Sequence, residues 1–260
     1  MQIIRCRLTN SQGITKGCEK APVKVLEALK NIRSNEQGKI IEFDKLNLEE
    51  IHVDLDNIKE ANHLIYENSK EIFEKNQKAF FIGGDHSISY SICKAFNEIE
   101  KNPLLIVFDA HADCRNSKGH DGWLKNLVEA GFLGNKIILI STRNFLPEDI
   151  KYLKDNNIVW INMDVLDEDI DGVCHMIMER ARQASGFYLS IDMDCLDPAF
   201  APGVVYSESG GLSSRDLIYF LKRLKLLDNF RGADIVEINP DMDINGITVK
   251  LGAKLLAEMI

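Results

Sequence analysis

Across its 260 residues the chain has no Cys-x-x-Cys pair, no Gly-x-Gly-x-x-Gly or Walker loop, and no block of basic residues. Nor has it an apolar run approaching the roughly 20 residues that span a bilayer. Each absence removes a class of protein. Without the glycine loops, a nucleotide-dependent enzyme is disfavoured. Lys and Arg are scattered and the formal net charge is −9, so a phosphate backbone is not the expected partner and nucleic acid is set aside. The same acidity raises the local concentration of cations, which makes a metal or a cationic substrate the more natural ligand. Met1 leads straight into Gln2-Ile3-Ile4-Arg5 without a signal-type apolar core, so the chain reads as cytoplasmic, with no membrane partner. Cys6, Cys18, Cys93, Cys114, Cys174 and Cys195 lie mostly within or beside apolar segments, as reduced buried thiols do, and no disulfide is expected.

What is present describes an ordinary folded protein, with 45% apolar and 27% charged residues and therefore ample core. No internal repeat, low-complexity tract or Gly/Ser linker divides it, so one domain is expected over residues 1–260. Short apolar runs recur at Ile3-Ile4, Ile40-Ile41, 79–82, 104–108, 137–140, 158–161, 187–191 and 233–238, about eight strands in all. Several are apolar on both faces. The segments between them, such as 58–75 and 213–227, have helical length and pattern. The reading is a mainly parallel sheet between layers of helices, a three-layer α/β fold. Pro147 with Glu148 and Asp149, and Ser213-Ser214-Arg215-Asp216, carry helix-start chemistry.

In such sheets ligands sit beyond the carboxyl ends of the strands, so the polar residues that follow each apolar run are the informative ones. Three runs end unusually: in Gly83-Gly84-Asp85-His86-Ser87, in Asp109-Ala110-His111-Ala112-Asp113, and in Ser190-Ile191-Asp192-Met193-Asp194-Cys195-Leu196-Asp197-Pro198. Residues i and i+2 of an extended chain point the same way, so Asp192 projects with Asp194, and Asp109 with His111 and Asp113. Four carboxylates gathered at the end of an apolar sheet repel and desolvate one another unless cations compensate them. Two divalent ions offset four negative charges. Carboxylate-rich ligand sets with one imidazole per ion suit Mn²⁺ better than Zn²⁺, whose structural sites favour Cys and His. Two ions roughly 3.5 Å apart can share a bridging water and lower its pKa, which supplies a hydroxide nucleophile for hydrolysis. Asp85 reads as a group that orients the Gly-Gly turn, and Asp197-Pro198 as a chain reversal. His52, His63 and His175 fall in helical or variable stretches and read as surface residues.

Taken together and in this order and spacing, the three motifs resemble the signatures of the ureohydrolase family, which includes arginase, agmatinase, guanidinobutyrase and formiminoglutamase. The similarity runs from about residue 79 to the end; Ala199 to Gly203 and Gly210-Gly211-Leu212 look agmatinase-like, and residues 1–78 match loosely. The resemblance implies an arginase-like fold, a trimer or hexamer, and two Mn²⁺ per chain. Carried over residue by residue, it implies that His86 binds one ion and His111 the other. Asp109 and Asp192 bridge or share them, while Asp113 and Asp194 complete one each, with Asp113 also holding the bridging hydroxide. Val236-Glu237-Ile238-Asn239-Pro240 is similar to the family segment whose glutamate hydrogen-bonds the substrate guanidinium, which gives Glu237 that role. Ser117-Lys118-Gly119-His120 supplies a histidine on the loop after the Asp-x-His-x-Asp motif, which makes His120 the proton shuttle. The implied reaction is cleavage of a small cationic guanidino compound, agmatine first, to urea and an amine. A formiminoglutamase-like or deacetylase-like amidase and a non-catalytic metal-binding member are the alternatives. Two departures bear on the substrate. The loop from Asp113 to His120 is shorter than in arginases and lacks their recognisable groups for an amino-acid carboxylate. Val204 to Ser209 replaces the Gly-Thr-Gly-Thr-Pro-Glu-Pro-like stretch of agmatinases, so Tyr206 and Glu208 either shape a different pocket or lie on a tolerant surface loop.

Overall fold

The computed structural model describes residues 1–10, 13–75 and 78–260. Eight strands form one sheet: β1 (Gln2–Cys6), β2 (Leu48–Ile51), β3 (Ala79–Ile82), β4 (Pro103–Phe108), β5 (Ile137–Ile140), β6 (Val159–Ile161), β7 (Gly186–Asp192) and β8 (Phe230–Val236). Their order is β2-β1-β3-β8-β7-β4-β5-β6 and all pairings are parallel. Helices connect them: α1 (Ala21–Leu29), α2 (Ile58–Glu74), α3 (Ile88–Ile99), α4 (Trp123–Glu129), α5 (Pro147–Asp155), α6 (Met163–Gln183), α7 (Ser214–Leu224) and α8 (Ile247–Met259).

Side chains alternate along each strand, and both faces of the sheet are buried. Ile106, Phe108, Leu189, Ile191 and Ile235 pack with α1, α6, α7 and α8 in one core. Leu105, Val107, Leu139 and Tyr188 point the other way, into a second core with α2, α3 and α4. The result is the three-layer α/β arrangement that the apolar runs imply.

One expected strand is absent. Ile40 is exposed and makes a single antiparallel bridge to Ser34, while the edge strand is β2, which begins only at Leu48. Only Ile41 of the pair reaches the core, and its N–H donates to the Arg33 carbonyl in a local loop pairing, not to the sheet. The real edge strand, Leu-Glu-Glu-Ile, hides from an apolar-run reading because only Ile51 is buried.

The sheet order builds the site. β7 and β8, last in the chain, fill the gap between β3 and β4. Ile82, Ile235, Ile191 and Phe108 pair across these four central strands in one level row. The next residues therefore emerge side by side at one end of the sheet: Gly83, Val236, Asp192 and Asp109. Among the described residues, no helix is long and apolar enough to cross a membrane.

Candidate metal centre

Behind β3 the chain turns through Gly83 and Gly84 before α3 begins. A side chain at Gly84 would place its Cβ 2.0 Å from the Leu8 carbonyl oxygen, so only glycine lets the turn approach that closely. The Asp85 N–H donates to Leu8 O, and the Glu237 N–H donates to Gly84 O, which ties the ends of β3 and β8 together. Asp85 keeps the structural role read from sequence. Its carboxylate accepts from Ser87, from the Asn10 N–H and from the Thr15 hydroxyl, fastening the N-terminal loop to the turn. Asp197 likewise accepts from the N–H groups of Ala199 and Gly210 in a chain reversal.

His86, delivered by that turn, is fully buried. Its Nδ1 lies 3.1 Å from Asp109 Oδ2, 3.1 Å from Asp113 Oδ2 and 3.0 Å from Asp192 Oδ2. These distances are short, yet neither His86 Nδ1 nor Asp109 Oδ2 makes a hydrogen bond of good geometry. The four atoms are gathered into one small volume. His111 Nδ1 lies 2.8 Å from Asp194 Oδ2 and 3.7 Å from Asp109 Oδ1. Two groups result, each with its ligand atoms within 4.8 Å: His86, Asp109, Asp113 and Asp192, then Asp109, His111 and Asp194. Asp109 belongs to both; Asp192 falls in the first only.

Backbone N–H groups orient the carboxylates. His111 N donates to Asp109 Oδ1, Asp194 N to Asp192 Oδ1 and Ala110 N to Asp194 Oδ1. In each case the other oxygen, Oδ2, faces the centre, where that of Asp194 pairs with His111 Nδ1. The period-two argument holds only in part here. A bend at Ala110 and His111, a positive φ of 46° at Asp113, and a short turn at Met193–Cys195 replace extended chain, and the ligands converge through those bends.

The electrostatics set the buried carboxylates against one another. Burial, with the charges of Asp113 and Asp194, pushes the Asp109 carboxyl up to about 8. Burial and the charges of Asp194 and Asp109 hold Asp192 well above the usual carboxylate range. Burial pulls the His111 imidazole down, but Asp194 outweighs it and holds the ring at about 11. Asp109 and Asp192 therefore favour their protonated forms, and bound cations would displace those protons. The buried unpartnered atoms and the oxygen-rich, two-imidazole donor set fit a pair of divalent ions.

Glu237 sits just past β8 with a positive φ of 63° and is almost wholly buried. Its Oε1 accepts from the His86 N–H, and burial with the charges of Asp192 and Asp85 holds it well above the usual range. It faces a pocket also lined by His111, Asp113, Arg115, His120 and Tyr206. His120, on a short turn before α4, has its ring stacked on Tyr206 at 5.4 Å, and a ring nitrogen lies within 4.8 Å of the Glu237 carboxylate. Every residue singled out for the site therefore reaches one place. His52, His63 and His175 are exposed.

Other residues escaped the sequence reading. The Trp123 indole N–H donates to Asp113 Oδ2 at 2.9 Å while its ring rests on His86. The Arg143 guanidinium donates to the carbonyls of Asp194 and Glu208, tying the ligand-bearing turn to the 204–209 loop. Glu208, which the sequence left between a pocket and a surface loop, accepts from Asn144 and lies 3.4 Å from His111 Nε2, so this loop belongs to the site wall. Arg143 follows an apolar strand, and that position was the one signal available for it.

The family model described as "Arginase family" matches residues 3–260. Arginase 1, mitochondrial, of Arabidopsis thaliana is 29% identical over 97% of this chain and 78% of its own length. Among solved structures, formimidoylglutamase from Bacillus subtilis superposes with a TM-score of 0.90 at 25% identity, covering 99% of this chain and 85% of that one. Agmatine ureohydrolase of Thermoplasma volcanium gives 0.86 at 25% identity, over 99% and 87%.

Proposed function

The chain belongs to the arginase family, and on that premise we propose that it hydrolyses a C–N bond of a linear guanidino or amidino compound with two Mn²⁺ ions, agmatine being the first candidate. The observation that carries the reading is the convergence of buried, unpartnered His86 Nδ1 and Asp109 Oδ2 within a shell of aspartates, beside a buried glutamate that faces the same pocket. His86, Asp109, Asp113 and Asp192 would hold one ion, and Asp109, His111 and Asp194 the other. When bound, the ions supply an activated water at neutral pH.

The chain's own residues do the rest. Glu237 receives the planar cation through charge-assisted hydrogen bonds and sets its carbon before the aspartates. Asp113 hydrogen-bonds the attacking water and fixes its approach. His120, steadied by Tyr206, delivers a proton to the departing amine, without which the C–N bond cannot break productively. With agmatine and water the products are urea and putrescine. Single-domain subunits assembled as a trimer or hexamer complete the proposal.

A second reading rests on Arg115. Its guanidinium lies at the pocket mouth, 3.6 Å from Asp121, where a carboxylate at the far end of a formimidoylglutamate-like substrate would meet it. Agmatine, whose far end is an ammonium, would meet Asp121 instead. A panel of agmatine, 4-guanidinobutyrate, arginine and formimidoylglutamate, assayed for the released amine, separates the two. If the substrate carries a carboxylate, Arg115→Ala raises KM about tenfold, the low end for hydrogen bonds to charged groups, with kcat little changed. Turnover of agmatine alone, indifferent to Arg115, removes the second reading.

A further inference from the structure

Beneath the cluster lies a buried carboxylate that none of these steps uses. Asp234 is in the middle of β8, wholly buried, and pairs in register with Ser190 on β7. The Ser190 hydroxyl donates to Asp234 Oδ1 at 2.7 Å, and Ser190 Oγ lies 2.9 Å from His86 Nε2. We propose that Asp234, acting through Ser190, is a positioning residue that fixes the tautomer of His86 so that Nδ1 is bare for a metal ion. The inference rests on the metal reading given above.

The reasoning follows the protons. A serine hydroxyl has one proton, and Asp234 Oδ1, the nearer acceptor at 2.7 Å, takes it. The other acceptor in reach, Ser89 Oγ at 3.2 Å, is neutral and farther away. Ser190 Oγ can then only accept from His86, so the imidazole proton resides on Nε2. Nδ1, the atom facing Asp109, Asp113 and Asp192, keeps its lone pair. Without Asp234 the hydroxyl is free to turn and donate to Nε2, which would put the ring proton on Nδ1, among the ligands. An outer partner of this kind commonly governs a ligating histidine. A purely structural role is a poor account of Asp234, because a buried carboxylate in an apolar sheet costs stability that a similar-sized apolar residue would not.

The test compares the full-length wild type with Asp234→Leu and Ser190→Ala, by calorimetric titration with Mn²⁺ alone and by melting of the metal-free proteins. The expected result is that both variants bind one ion about 10–100-fold more weakly while the other ion is much less affected, with metal-free Asp234→Leu melting no lower than wild type. Unchanged affinities for both ions would overturn the proposal. So would equal weakening of both ions accompanied by a lower metal-free melting point in both variants, which is the mark of a structural role. Failure of the wild type itself to bind Mn²⁺ would overturn the metal reading, and this inference with it.

Discussion

Asp109→Asn is expected to lower kcat/KM by at least about a thousandfold, roughly 4 kcal/mol, because it is the residue common to both ligand groups. Asparagine preserves the acceptor for the His111 N–H, so the bend at Ala110 and His111 survives. What disappears is one negative charge and the buried Oδ2. Stability separates this from ordinary damage. In the metal-free protein Asp109 is a strained group, its carboxyl pushed up to about 8 by burial and by Asp113 and Asp194. Asparagine is neutral in the folded and the unfolded chain alike and avoids the cost of protonating a buried carboxylate, so metal-free Asp109→Asn should melt at or above the metal-free wild type, while stabilisation by added Mn²⁺ is lost. Melting curves with and without Mn²⁺ check this. A variant that still gains the full stabilisation from Mn²⁺ would show that Asp109 holds no ion.

Glu237→Gln should cost about 2–5 kcal/mol in transition-state binding, the range for truncating one partner of a buried charge pair, or a fall in kcat/KM of about 30-fold to several thousandfold. Glutamine still accepts from the His86 N–H, so the tie between the β3 turn and the end of β8 remains. The ion affinities should hardly move. The measurement is steady-state kinetics beside a Mn²⁺ titration of the same preparation. Near-wild-type kinetics with a guanidino substrate would mean that the carboxylate does not meet the cation.

The candidate ligand residues were legible because strand ends in parallel sheets are where polar residues do chemistry, and Asp-x-His-x-Asp and Asp-x-Asp are conspicuous there. Their neighbourhood was not. That β8 lies between β3 and β7 depends on long-range pairing, and local periodicity carries no trace of it. Only that order sets Glu237 beside His86. The edge strand β2 was missed because two glutamates interrupt its apolar pattern, and Ile40-Ile41 was overread for the opposite reason. Arg143 and Trp123 work through backbone carbonyls and a single indole N–H, contacts that no spacing rule encodes. Asp234 looked like one polar residue inside an apolar run until Ser190 stood opposite it.

The most direct test of the central claim is the anomalous-difference map of a crystal of the Mn²⁺-loaded protein. The account predicts two peaks roughly 3.5 Å apart, one beside His86 Nδ1 and the other beside His111 Nδ1, with Asp109 between them. A single peak, or peaks away from these two imidazoles, would contradict it.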